Sequence, residues 1–423
     1  MCRRQKRTYR FQSLKESENA TWGVPQVAFF YVFSSRRRHT IWAYLWDLVD
    51  DGLEETVEFC KGEMGLDAIS VATAYHTFQQ LRPGRPGAKL LTAGEAAVYF
   101  RPQPELYVDT CIRPHVAPLV GEGNPMGELA NICQKNDLGL ISWTVCLHNS
   151  YLAGKYPDCA QQTAYGDSLG WVLCPGVDDV RAYIIALCRD LAENYGVERL
   201  ELEMCNFGGY GHAHHHVKDG VDLGGVGRYL FGLSFSAGCM DKARGWGIDA
   251  EGLRNWVREQ LDPVFSSGEP LTGEIEEVVA GNAELAAFQE MREELVTSLI
   301  GEIKGATGVE VSFLLMGDRW GARIRPERMA GEADLVELLA YSRDPEAIAE
   351  RVKGVLKDID DPEQLVLGLQ AYYPCANSAD DLRANVECGL ELGVRQFSYY
   401  NYGIAPKPCL EWIGNCIKNS KIK

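Results

Sequence analysis

A (β/α)8 TIM barrel with long βα-loop excursions is the fold class this sequence predicts, on three observations. Eight short apolar, strand-like runs recur between Ile41 and Asn401, and helix-like stretches separate them. No short hairpin joins one run to the next, so the runs must pair in parallel through crossovers. The competing parallel architecture, a doubly wound open sheet, carries a GxGxxG turn after its first strand, and none stands here.

The elements follow in order. Ile41–Trp46 (IWAYLW) is the first strand and ends at Asp47. Leu53–Met64 is its helix, with Leu53, Val57 and Cys60 on one face. Asp67–Thr73 is the second strand and leads to Tyr75 and His76. A Pro/Gly-rich excursion fills Arg82–Pro125, with a hairpin expected between Ala97–Arg101 and Leu106–Ile112, and Met126–Asn136 is helical. Gly139–Cys146 is the third strand and leads to His148 and Asn149. In Asp178–Asn194, Val180, Ile184, Leu187, Cys188 and Leu191 have helical spacing, and Asp178 is placed to cap them. Leu200–Met204 is the fourth strand, with Leu200 and Leu202 alternating with Glu201 and Glu203. Leu223–Gly305 is a mainly helical excursion. Val309–Met316, Ala333–Tyr341, Leu365–Tyr372 and Val394–Asn401 complete the eight. Helices are expected at Pro345–Leu356, Ser378–Leu392 (capped by Ser378) and Leu410–Ile417.

Composition excludes several classes. The net charge of -17 over 423 residues repels nucleic acid and anionic membrane surfaces. No apolar run reaches the roughly 18 residues of a membrane span. The 14 cysteines hold no CxxC pair, a pattern of buried free thiols expected of a reducing cytoplasm, with a signal peptide lost from the start of the chain as the alternative. Met1–His39 is different in kind, with nine Lys/Arg against two acidic residues. Phe33–Thr40 (FSSRRRHT) resembles a translated sequencing adapter. Residues 1–40 are therefore expected to be a non-native or disordered basic extension, and 41–423 the barrel.

In a barrel the C-terminal strand ends form the active face. Glu203 ends the fourth strand and is the leading general acid. Asp47 and Asp318 are the candidate second carboxylates, since most glycoside hydrolysis uses two. Aromatic, amide and imidazole groups gather at the same ends: His76, Trp143, His148, Asn149, Tyr210, His212, His214, Trp320, Gln370, Tyr372, Tyr399, Asn401 and Tyr402. Such a set suits sugars, which have apolar faces and hydroxyl rims. Arg113 and His115 could bring positive charge to the mouth for a substrate carboxylate. The tract His212–His216 offers imidazoles for a metal with Glu203, but adjacent side chains diverge in an extended chain. No metal site and no cofactor are assigned.

Several stretches resemble, in order, an uncharacterised bacterial family of glycosyl-hydrolase-like TIM barrels. They are IWAYLWDLVDDG, ATAYHTF, VYFRPQPELY, WTVCLHNS, LCPGVDDVRAYIIALCRDLA, LELE followed by GYGHAHHH, and YYNYG. The resemblance runs from Ile41 to about Ile417 and covers Asp47, His76, His148, Asn149, Glu203, His212, His214, His215 and Tyr402. Leu45 and Val217 depart from it, where relatives tend to have Pro and Glu. A Cys-rich turn of the family is reduced here to Ser234, Ser236 and Cys239. The large retaining-glycosidase clan ends its seventh strand in a nucleophilic Glu, where this chain has Gln370, so an inverting or unusual route is favoured over a double-Glu one. The expected activity is glycoside hydrolysis of a small or oligomeric carbohydrate. A metal-dependent sugar isomerase or hydrolase, and a non-catalytic carbohydrate-binding barrel, are the alternatives.

Overall fold

Eight parallel strands close on themselves in a computed structural model that describes residues 37–210, 218–316, 319–322 and 324–420. They are β1 (Arg38–Tyr44), β2 (Ala68–Tyr75), β3 (Gly139–Val145), β4 (Arg199–Glu203), β5 (Glu310–Leu315), β6 (Leu335–Leu339), β7 (Leu365–Gln370) and β8 (Gln396–Tyr400). Each pairs in parallel with its sequence neighbours, and β1 closes the ring by pairing with both β2 and β8. The predicted (β/α)8 barrel is the observed fold. Closure removes every free edge that an open sheet would leave unpaired.

Helices follow the strands as crossovers: α1 (Leu53–Glu58, continued by a π-helical turn to Met64), α2 (Pro125–Lys135), α3 (Asp178–Tyr195), α4 (Ala283–Thr307), α5 (Pro326–Glu332), α6 (Pro345–Ile359), α7 (Ala379–Glu391) and α8 (Lys407–Ser420). The apolar stripe read in α3 is buried at Val180, Ile184, Leu187, Cys188 and Leu191. Asp178 is the first helical residue rather than the cap. Ser378 does cap α7, its hydroxyl accepting from the Asp381 amide at 3.1 Å. Among the described residues four shorter helices lie between β4 and α4, in line with the helical pattern of that excursion. Among the described residues no helix is long and apolar enough to cross a membrane.

Three expectations are corrected. The first strand starts at Arg38 rather than Ile41: His39 is fully buried, its ring 3.0 Å from the Tyr399 hydroxyl. It also ends at Tyr44, and Leu45–Asp51 turns at once into a helix, so Asp47 is helical and not a strand end. The hairpin lies earlier than expected, between Phe78–Leu81 and Leu90–Ala93. Ala97–Val98 instead pairs with the end of β2, and Pro104 starts a 3-10 turn where the second arm was expected. Pro104 suits the first position of that turn, and the turn takes up the start of the expected arm.

The barrel interior is filled from alternate strands. Trp42 of β1 stacks on Trp143 of β3 at 4.8 Å. Ser70 of β2 donates to Glu201 of β4, and Ser398 of β8 donates to Glu337 of β6. A deep polar floor therefore lies below an aromatic mouth.

Candidate active site

Glu203 is the last residue of β4 and lies half-buried at the mouth. Its parity is inward, like that of Glu201 two residues below. The indole N–H of Trp143 donates to Glu203 Oε2 at 2.6 Å. Trp143 is itself buried, at 1% exposure, so this donor is rigidly placed. Burial pushes the Glu203 carboxyl up to about 7, against the Trp143 bond, which favours the ionised form. Just past it, Met204 holds a left-handed φ of 48°. A non-glycine residue in that region is uncommon and often marks a functional turn.

Tyrosines wall the site. The hydroxyl of Tyr44 lies 3.1 Å from that of Tyr75 and 2.7 Å from that of Tyr400. Tyr341 tilts against Tyr400 at 5.8 Å between ring centres. Burial, then the Tyr400 and Glu203 charges, hold the Tyr75 phenol well above its ordinary value. Tyr341 is raised by burial and by Tyr400, Glu337 and Glu203. These phenols therefore stay neutral and can donate hydrogen bonds to an oxygen-rich ligand.

Beneath lies a carboxyl group that sequence reasoning missed. Glu337 is fully buried in the middle of β6, and its pKa is raised by burial first and by Glu201 next. Its signal was legible: one acidic residue inside the otherwise apolar LVELL strand. Glu201, also fully buried and raised by burial, is a structural group of the floor.

The other candidates divide clearly. His76 and His148 stack at 4.4 Å, and His148 meets the edge of Trp171 at 5.0 Å, so the second and third strand ends do bring imidazoles together. Asn149 caps the helix Ser150–Lys155 through the Leu152 amide at 2.9 Å. Arg113 is spent on the backbone oxygens of Tyr107, Thr110 and Ile112, and braces its own loop rather than reaching for an anion. His115 pairs with Glu95 at 2.8 Å and stacks on Tyr151. Tyr210 donates to Asp219 at 3.1 Å and packs on Phe231. Trp320 lies under the Arg319 guanidinium at 4.6 Å and against Tyr229. Gln370 donates to the Tyr373 carbonyl at 3.0 Å, and Tyr372 is half-buried beyond it. Tyr402 donates to Asp51 at 3.2 Å. Asn401 is fully buried, its side-chain oxygen accepting from the Gly403 amide at 3.0 Å.

Tyr399 requires a correction. It points outward to His39, behind the barrel wall, and its neighbour Tyr400 takes the inward place. Side chains alternate along a strand, so only one of the two can face the mouth. Asp47 is also placed differently from expectation. Its Oδ1 accepts from Arg82 Nε at 2.6 Å and its Oδ2 from Gln80 Nε2 at 2.8 Å, at 2% exposure. It ties the helix Leu45–Asp51 to the hairpin after β2. Asp318, His212, His214 and the rest of the His212–His216 tract lie outside the described residues. Among the described residues no three His, Cys, Asp or Glu gather to hold a metal ion.

Solved structures of similar fold were found. The PgaB (BpsB) glycoside hydrolase domain from Bordetella bronchiseptica matches over 90% of this chain and 98% of its own, with a TM-score of 0.58 and 15% identity. The beta-galactosidase from the psychrophilic Marinomonas ef1 matches over 91% of this chain, with a TM-score of 0.57 and 10% identity. Alpha-L-fucosidase isoenzyme 2 from Paenibacillus thiaminolyticus matches over 91%, with a TM-score of 0.54 and 11% identity. This chain spans 60% of the galactosidase chain and 49% of the fucosidase chain. At such identities the likeness is one of fold. No protein-family model matches the sequence, and the search of curated proteins returned no match.

Proposed function

We propose that this chain hydrolyses a glycosidic bond, with Glu203 as the general acid. The observation that carries the reading is the Glu203 carboxyl itself: inward at the end of a barrel strand, half-buried, and pushed up to about 7 by that burial. A carboxyl group in that state holds its proton near neutral pH and can give it to a departing sugar oxygen. The Trp143 indole fixes the orientation of the group. The neutral phenols of Tyr44, Tyr75 and Tyr400 are placed to bind hydroxyls, and their ring faces suit the apolar faces of a sugar. That the similar folds include structures named as glycoside hydrolases agrees with this reading.

The second carboxylate in this proposal is Asp318, which follows β5. Asp47 is set aside because both of its oxygens serve Arg82 and Gln80. Gln370 at the end of β7 cannot act as a carboxylate nucleophile, so the route proposed is inverting, with a water activated by Asp318.

The test is a screen of aryl glycosides and oligosaccharides with the wild-type protein, followed by Glu203→Gln on whichever substrate is cleaved. Glutamine keeps the shape and removes the proton. Turnover is expected to fall by at least about 10²-fold, the lower end for general acid catalysis. The wild-type rate is expected to fall as pH rises through about 7, as Glu203 loses its proton. Near wild-type turnover in Glu203→Gln would sink the proposal.

A further inference from the structure

Fourteen cysteines are spread along the chain, and among the described residues three pairs of buried or half-buried thiols are in hydrogen-bond contact: Cys111 with Cys159, Cys146 with Cys205, and Cys174 with Cys239. Proximity is common to all three, but surroundings are not. Burial pushes the Cys146 thiol well up and Cys159 to about 12, so both stay protonated and inert. The third pair sits among polar donors. Cys174 Sγ lies 3.3 Å from Cys239 Sγ, 3.2 Å from Ser236 Oγ and 3.5 Å from Ser234 Oγ. Burial opposes ionisation of Cys174, yet the hydrogen bonds from Cys239, Ser236, Ser234 and the Gly176 backbone outweigh it and bring it down to about 6. Cys239 is raised chiefly by the bond it gives to Cys174. The buried Arg292 interacts with both sulfurs. Both sulfurs are fully buried, and the hydrogen bonds gathered on Cys174 favour its ionised form, with Cys239 as the donor in contact.

The backbone is shaped for this contact. A Cβ at Gly176 would lie 2.7 Å from Cys239 Sγ, and one at Gly238 would lie 2.5 Å from the Gly176 carbonyl oxygen. Only glycines let the loop after β3 press against the first turn of the helix Ala237–Gly245.

We propose that Cys174 and Cys239 are a redox-active pair that a small hydroperoxide converts to a disulfide. The Cys174 thiolate attacks a peroxide oxygen; the O–O bond breaks, hydroxide leaves and Cys174 becomes a sulfenic acid. Cys239 gives its proton to that hydroxide, forming water. Its thiolate attacks the Cys174 sulfur, forming the S–S bond and breaking the S–O bond. The hydroxide released takes up the proton that Cys174 had given up. In balance, two thiols lose two electrons and two protons, and hydrogen peroxide becomes two waters. The bridge would close a covalent loop that contains Glu203 and join the segments on either side of β4.

The full-length protein, purified under reductant and desalted, is treated with hydrogen peroxide, alkylated under denaturant and mapped by mass spectrometry. The expected product is a Cys174–Cys239 linked peptide that dithiothreitol reverses, with the other thiols still alkylated. In Cys239→Ser a Cys174 sulfenic acid is expected to be trapped by dimedone. Replacing Ser234 and Ser236 together by alanine should slow bridge formation by about tenfold or more, since the thiolate loses two donors. Mapping of the wild type decides the matter even where a variant fails to fold. A pair left reduced while other cysteines oxidise, or bridges appearing equally fast at Cys146–Cys205 or Cys111–Cys159, would overturn the proposal.

Discussion

Glu203 and Asp47 are two acidic residues beside the C-terminal ends of barrel strands, and burial raises both. Their partners separate them. Asp47 has a guanidinium on one oxygen and an amide on the other. Glu203 has one neutral side-chain donor among the described residues, the Trp143 indole. Burial alone therefore does not make a general acid. A buried carboxylate that is fully paired stays charged and holds the structure together, whereas one with a single neutral donor keeps a proton available near pH 7.

The contrast can be broken most strongly at Asp47. Asp47→Ala removes the closest partner of the buried Arg82 guanidinium while Asp50 still holds its Nη2 at 2.8 Å, and a loss of about 3 kcal/mol of unfolding free energy, the lower end for a broken buried pair, is expected. Denaturant melts of the two proteins check this, and a loss below about 1 kcal/mol would mean that the pair is exposed in solution. Asp47→Asn, where it folds, should keep its turnover, unlike Glu203→Gln.

The next effect is pH-dependent stability at Glu203. The folded state raises this carboxyl from its ordinary range to about 7. Its contribution is fully present below the unfolded value and is lost as pH rises through about 7. Glu203→Gln removes that loss. The variant should gain on the wild type between pH 5 and 8 by on the order of 3 kcal/mol in the limit, less as water reaches the half-buried group. Melting temperatures across that range measure it, and parallel curves would mean that Glu203 titrates normally.

Smaller effects sharpen the same point. Trp143→Phe removes the donor that favours the ionised form, so the alkaline limb of the rate profile should move up by about one pH unit, the equivalent of about 1.4 kcal/mol. An unmoved limb would separate that limb from Glu203. Gln80→Ala removes the amide from Asp47 Oδ2 and the acceptor of the Trp46 indole. It should cost about 1–3 kcal/mol in a denaturant melt, with the rate profile unchanged.

The barrel was legible in the chain by itself because its signals are local. Eight apolar runs with helical stretches between them need parallel pairing, and a strand's period of two puts Glu201 and Glu203 on one face. The end of β4 then marked Glu203 without any knowledge of its neighbours. What tertiary structure decided is which side chains those ends face. Tyr399 and Tyr400 are adjacent in sequence, and only the register of β8 against β1 and β7 sends the first behind the wall and the second to the mouth. Asp47 read as a candidate second carboxylate, and it is the hairpin after β2 that brings Arg82 and Gln80 onto it, from residues more than 30 positions away. Glu337 was visible as an acid in an apolar strand, but its place beneath Glu203 follows from barrel closure. Local pattern sets the elements, since backbone pairing and burial act over a few residues. The charge state of a carboxyl depends on groups brought within a few ångströms from distant parts of the chain, and only the closed fold supplies those distances.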